Sequence, residues 1–130
     1  MLIDTNIYSA LDNNIKAAVE VLRGQTNVFL PFVAVAELRY GFLNGANQKE
    51  NETRLNRFLA QDGVEVLNST LQTTKLYAEL ALYCKKRGRA LTNNDVWIAA
   101  LAKENDLRLV TFDQDFAVFE ELFIGKLTIL

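Results

Sequence analysis

Two apolar rhythms alternate along the chain. Short, mostly apolar runs at Leu2-Ile3, Val28-Phe29-Leu30, Val64 to Leu67, Leu107 to Thr111 and Lys126 to Leu130 have the length of buried strands. Between them apolar positions recur at helical spacing. Asn13-Asn14 opens a helix to about Arg23, in which Ile15, Ala18, Val19 and Leu22 form an i, i+3, i+4, i+7 stripe and Gly24 marks the stop. Ahead of it, Asp4-Thr5-Asn6 reads as an abrupt polar turn. Pro31 ends the second strand, and Phe32 to about Leu43 is apolar nearly all round, which predicts burial on most sides.

Asn44-Gly45 breaks that helix, and a more polar one follows from Gln48 to Gln61, anchored by Leu55, Phe58 and Leu59. A long helix from Thr70 to Arg87 carries Tyr77, Leu80, Ala81 and Cys84 on one face, with Gly88 as its C-terminal stop. A helix from Asn94 to Glu104 and a short one near Phe116 to Leu122 complete the pattern. Strands alternating with helices predict an α/β fold: a three-layer sandwich around a mostly parallel sheet, a single domain over residues 1–130.

Composition narrows the chemistry. At 130 residues, half of them hydrophobic, the chain is long enough to bury a core. No apolar run reaches membrane-spanning length and the N-terminus lacks a signal-peptide pattern, so a cytoplasmic location with no membrane partner is expected. The single Cys84 cannot form an internal disulfide and falls on an apolar helix face, where packing is the expected role. Histidine is absent, which excludes Ser–His–Asp triads and His-containing metal sites. The formal charge of −2 offers no global basic field for a nucleic acid, so any such contact needs a local patch or bound cations.

Four acids stand at or near element boundaries where no local rule requires all of them. Asp4 ends the first strand, where ligands sit in open parallel sheets; an Asx-turn or helix cap explains it equally well. Glu37 shares a helix face with Val33, Ala36 and Tyr40, while Leu38 and Phe42 make the other side apolar. Arg39 is two residues away and points elsewhere, so Glu37 is expected to be buried and unpaired unless its helix is partly exposed. Asp95 lies in the first turn of its helix, where the macrodipole alone favours an anion by about 0.3–1 kcal/mol. The slim face of Ile98, Ala99 and Ala102 would draw that helix, and Asp95, close to the sheet. Asp113 and Asp115 follow the fourth strand, and either can cap the helix beginning near Phe116.

Taken together these carboxylates make a specific demand. At about 5 Å separation and an effective dielectric near 20, each pair repels by roughly 3 kcal/mol, so a cluster needs protons or cations. Oxygen ligands without His or Cys select hard ions, Mg²⁺ or Mn²⁺. Such an ion orients a phosphate, acidifies water and stabilises a leaving oxyanion, chemistry that needs no histidine.

Four segments carry a family resemblance. Leu2-Ile3-Asp4-Thr5-Asn6, Ala36-Glu37-Leu38-Arg39-Tyr40-Gly41, Asn94-Asp95-Val96-Trp97-Ile98-Ala99-Ala100 and Leu109-Val110-Thr111-Phe112-Asp113-Gln114-Asp115-Phe116 resemble, in order and spacing, the motifs of PIN domains. They are most similar to those of the VapC-type toxins of prokaryotic toxin–antitoxin pairs. The resemblance implies a five-stranded sheet of order 3-2-1-4-5, Mg²⁺- or Mn²⁺-dependent endoribonuclease activity on RNA, homodimers and a small neutralising antitoxin. It implies metal-binding, catalytic carboxylates at Asp4, Glu37, Asp95 and Asp113, with Asp115 an alternative fourth ligand. Thr5, Asn6 and Thr111 are implied as hydrogen-bonding groups beside them.

Among the basic residues, Lys85-Lys86-Arg87 with Arg89 is the densest cluster and a candidate RNA-backbone contact, though cations also suit a helix C-terminus. Arg39 either holds a phosphate or solvates its helix. Trp97, Phe116, Phe119 and Phe123 are expected to pack. A haloacid-dehalogenase-type phosphatase also starts with a strand-end Asp, but it needs a second Asp where this chain has Asn6. A receiver-like phosphoacceptor domain is disfavoured because its acidic pair and acceptor fall on different strands. The remaining alternative is a PIN-like module that binds protein or RNA and has lost its chemistry.

Overall fold

The computed structural model describes residues 1–89 and 91–130. In chain order it contains β1 (Leu2–Ile3), α1 (Thr5–Asp12), α2 (Lys16–Leu22), β2 (Val28–Pro31), α3 (Phe32–Leu43) and α4 (Gln48–Leu59). These are followed by β3 (Val64–Leu67), α5 (Leu71–Lys86), α6 (Asn93–Glu104), β4 (Leu109–Thr111), a 3₁₀ turn (Gln114–Phe119) and β5 (Leu127–Ile129). The strands form one sheet in the order β3-β2-β1-β4-β5, and every pairing is parallel. The expected architecture and strand order are both present.

Each strand sends alternate side chains into two separate cores, as a strand period of two requires. Leu2, Phe29 and Leu109 point into one core with α5, α6 and the aromatic turn. Ile3, Val28, Leu30 and Val110 point into the other with α1, α2 and α4. Sheets covered on both faces leave only strand ends for a site. β1 is central, with β2 on one side and β4 on the other, so the order reverses at the C-terminal ends of β1 and β4. Register puts Ile3 opposite Val110, and the backbone N–H of Asp4 donates to Val110 O at 3.0 Å. Asp4 therefore leaves the sheet at the reversal point.

The first turns after β1 differ from the sequence expectation. Asp4-Thr5-Asn6 does not form a free polar turn; Asp4 caps α1, which buries Ile7 and Tyr8. Asn13-Asn14 breaks the chain between two helices, with Asn14 at φ 54°, a conformation Asn tolerates better than most residues. The expected helix from there to Arg23 is the shorter α2, and Ile15 at the head of its stripe is half exposed. The helix expected near Phe116 is a 3₁₀ turn, although Phe116 and Phe119 are fully buried as anticipated.

α3 also departs from expectation. Val33, Ala34, Val35 and Leu38 are buried, but Phe32, Ala36, Tyr40 and Leu43 form an exposed edge, with Tyr40 72% accessible. An all-apolar helix identifies no face by itself, and the packing chose one. α6, by contrast, is buried from Val96 and from Ile98 through Ala102, so its small residues let it lie close against the sheet. Trp97 stacks on Tyr77 with ring centroids 4.3 Å apart. Cys84 is buried in the same core.

Candidate active site

At the reversal point Asp4 is 4% exposed and held on every side. Its Oδ2 accepts from the Thr111 hydroxyl at 2.7 Å and from Asn6 Nδ2 at 2.8 Å; its Oδ1 accepts from the Thr5 backbone N–H at 2.6 Å. Asn6 extends the lattice, donating also to Thr111 Oγ1 at 3.1 Å and accepting from the Phe112 N–H at 3.1 Å. Thr111 Oγ1 in turn accepts from the Asp113 N–H at 3.0 Å. The three polar side chains thus lock the end of β1 to the end of β4. Burial pushes the Asp4 carboxyl up to about 6, against the opposing pull of the Thr111 and Thr5 hydrogen bonds, and the nearby Asp95 and Glu37 charges add to the rise.

Asp95 reaches the same place from α6. Thr92 and Asp95 form a reciprocal capping box: the Thr92 hydroxyl and N–H donate to Asp95 Oδ2 at 2.7 and 3.3 Å, and the Asp95 N–H donates to Thr92 Oγ1 at 3.2 Å. Half-burial raises its carboxyl above the ordinary range, and the charges of Asp113 and Asp115 raise it further. Capping and a place in the pocket coexist, because the box uses Oδ2 and leaves Oδ1 without a protein donor among the described residues.

Glu37 is half-buried, not enclosed as the sequence suggested, since Ala36 and Tyr40 beside it on α3 are exposed. Its carboxylate takes no hydrogen bond among the described residues. Asp113 caps the 3₁₀ turn through Oδ1, which accepts from the Asp115 N–H at 2.8 Å. Asp115 itself is exposed and does not line the pocket. Of the two acids after β4, the geometry therefore favours Asp113.

Asp4, Glu37, Asp95 and Asp113 line one open cavity of about 540 Å³, together with Thr5, Asn6, Ser9 and Thr92. They ring it without touching: among the described residues no three acidic or thiol groups converge into a ready-made ion cage. Thr5 Oγ1 is the one buried side-chain polar atom without a hydrogen-bond partner among the described residues. A cavity offering carboxylate oxygens and no cationic side chain suits a hard divalent ion. Thr92 and Ser9 were not singled out from the sequence. Thr92 carried a signal in its three-residue spacing to Asp95, whereas Ser9 became visible only once α1 was known to be a helix.

The basic candidates do not line this cavity. Arg39 pairs with Glu52 of α4 at 2.7 Å, which binds one helix surface to another. Arg87 lies 3.5 Å over the Tyr83 ring and pairs with Glu121 at 3.3 Å. Lys85, Lys86 and Arg89 are exposed and make no ion pair among the described residues.

Comparison with known proteins identifies the family. The family model described as PIN domain matches residues 1–122. Ribonuclease VapC5 of Mycobacterium tuberculosis is 30% identical over 122 residues, covering 89% of this chain and 90% of the relative. Ribonuclease VapC1 of Haemophilus influenzae is 31% identical over 114 residues, 85% of this chain and 84% of its own. Among solved structures, VapBC-1 from nontypeable Haemophilus influenzae superposes with a TM-score of 0.77 at 26% identity, covering 98% of this chain and 96% of that one. VapBC2 from Rickettsia felis, bound to a DNA fragment from its promoter, gives a TM-score of 0.77 at 26% identity, with 89% of each chain covered.

Proposed function

The chain belongs to the PIN-domain family, and from that premise we propose that it is an endoribonuclease toxin held in check by a cognate antitoxin protein. The VapC ribonucleases of this family are generally dependent on divalent metal ions. For this chain the proposed ion is Mg²⁺ or Mn²⁺, the proposed substrate an RNA phosphodiester and the proposed setting the cytoplasm, with the chain acting as a homodimer. No helix among the described residues is long and apolar enough to cross a membrane. The observation that carries the reading is the meeting of Asp4, Glu37, Asp95 and Asp113 around one cavity at the sheet's reversal point.

In this reading Asp4, Glu37, Asp95 and Asp113 would hold the ion between them, Asp95 through the Oδ1 that its capping box leaves without a donor. A bound divalent ion supplies a Lewis acid that lowers the pKa of water and offsets phosphate charge. The chain's own contribution is placement. Thr111 and Asn6 fix both the position and the rotamer of Asp4, so little is left to organise when substrate arrives. Without a cation the same ring of acceptor-only groups repels a phosphodiester, which makes activity conditional on the metal.

The deciding experiment replaces Asp4 or Asp95 with Asn. Either change should abolish metal-dependent RNA cleavage while the circular-dichroism spectrum stays native. Cleavage at the wild-type rate by a variant would remove that residue from the site. Expression of the wild-type chain alone should arrest growth, and expression of Asp4→Asn should not; equal growth would favour a silent binding module.

A further inference from the structure

A second cavity, of about 270 Å³, also borders the start of α6. Asp95 and Thr92 line the acidic cavity, whereas Leu91, Asn93 and Val96 line this one, so residues adjacent in the chain border both. Its remaining wall comes from α5 and the turn after it: Tyr77, Lys85 and Arg89. An aromatic ring, an amide, an apolar floor and two cations meet in one place. The geometry points to a subsite for one nucleotide of a single-stranded RNA, adjacent to the phosphate held at the acidic cavity.

Each wall has a matching ligand group. Lys85 and Arg89 supply charge for a phosphate, which the lining of the acidic cavity lacks. Tyr77 offers a ring face or edge for a base, anchored through its hydroxyl to Asn93 Oδ1 at 3.1 Å and packed against Trp97. Because Asn93 accepts that bond through Oδ1, its Nδ2 protons remain for the acceptor edge of a base.

The plainer explanation, that these cations serve the C-terminus of α5, is met by the backbone instead. Cys84 O accepts from the N–H groups of Arg87 and Arg89, and Lys85 O accepts from that of Gly88, whose φ of 64° closes the turn. Those two carbonyls do not need the side chains. Arg87 is a built-in contrast, because it is turned away onto Tyr83 and Glu121. The sequence offered four clustered cations; the fold turns Arg87 onto Tyr83 and Glu121, while Arg89 lines both this cavity and the one beside Arg87.

This inference rests on the nuclease reading for its ligand, and its test does not use cleavage. The probe is a fluorescein-labelled single-stranded oligoribonucleotide, followed by anisotropy in calcium at several salt concentrations. Lys85→Ala and Arg89→Ala should each weaken binding about tenfold and lower the slope of log affinity against log salt by about one. Lys85→Arg should restore both, and Arg87→Ala should stay within about twofold of wild type. Equal losses for Arg87→Ala and Arg89→Ala, or no loss for Lys85→Ala and Arg89→Ala, would overturn the subsite. Neither result bears on Asp4→Asn, whose retained cleavage would defeat the nuclease reading alone.

Discussion

The hydroxyl of Thr111 donates to Oδ2 of Asp4 at 2.7 Å, across a sequence separation of 107 residues, and both side chains are buried. This bond closes the joint between β1 and β4. Thr111 Oγ1 simultaneously accepts from Asn6 Nδ2 and from the Asp113 N–H, so one atom ties two of the four pocket acids together. Thr111→Val keeps the shape and removes all three interactions. Leaving a buried carboxylate short of a donor costs about 1–3 kcal/mol. The urea midpoint should fall accordingly and cleavage should drop sharply, with Thr111→Ser close to wild type in both. A Val variant of unchanged activity would show that Asp4 needs no such anchor.

The pH dependence of stability follows from Asp4. Its carboxyl sits at about 6 in the folded, metal-free chain against 3.8 for an exposed one, so between those values the folded state binds more protons than the unfolded state. The stability this group contributes is complete below 3.8 and is lost as pH rises through 6. Asp95, raised in the same direction, adds to the trend. Between pH 4 and pH 8 without metal, wild type should therefore lose about 1–3 kcal/mol relative to Asp4→Asn, on top of a pH-independent cost of setting an amide NH2 against the donors around Asp4. Denaturant titrations at several pH values read this directly, and a wild type that gains on the variant as pH rises would reverse the argument.

Divalent ions should reverse that trend. Binding requires Asp4 and its neighbours to be ionised, so Mn²⁺ should raise the melting temperature of the wild type at pH 8 and have much less effect at pH 5. Asp4→Asn should gain little at either. Calorimetric scans with and without Mn²⁺ test this, and equal gains by wild type and variant would place the ion elsewhere.

The strands were legible because short apolar runs marked them, whereas their order came only with the family resemblance. Asp4, Glu37, Asp95 and Asp113 drew notice at element boundaries, and the fold brings them to one cavity. What stayed hidden was decided by tertiary contact. α1 was invisible because its N-terminal residues are polar, and only the burial of Ile7 and Tyr8 makes that stretch a helix. The exposed edge of α3 was unreadable because Phe32, Val33, Tyr40 and Leu43 are equally apolar, and packing alone separates Val33 from the rest. Arg39 gave no hint of Glu52, thirteen residues away on the next helix.

Arg39 lies one step past Glu37, which makes it a tempting phosphate ligand. Its guanidinium instead contacts Glu52 through both Nε and a terminal nitrogen, at 2.8 and 2.7 Å. Both side chains are a third or more exposed, so the pair is worth about 1 kcal/mol at most. Arg39→Ala should shift stability by no more than that and leave the KM for RNA unchanged. A rise in KM, absent in Glu52→Ala, would show that Arg39 leaves its partner to meet substrate.

The far end of α6 separates stability from activity. Glu104 sits in the last turn, where the macrodipole disfavours an anion, yet its two carboxylate oxygens accept from the hydroxyls of Thr70 and Thr73 at the start of α5. Thr73 is fully buried and also accepts from the Thr70 N–H at 2.7 Å, so the capping of α5 and the docking of α6 share one set of bonds. Glu104→Ala leaves the Thr73 hydroxyl short of its acceptor and should cost about 1–3 kcal/mol. Asp95 lies nine residues back along the helix, about 14 Å away, and its own cap at Thr92 is untouched. The variant should therefore unfold at lower urea with an unchanged m-value, while kcat/KM per folded molecule stays at the wild-type level. A loss of cleavage without a loss of stability would mean that the α5–α6 joint positions Asp95, and that the acidic cavity depends on both ends of its helix.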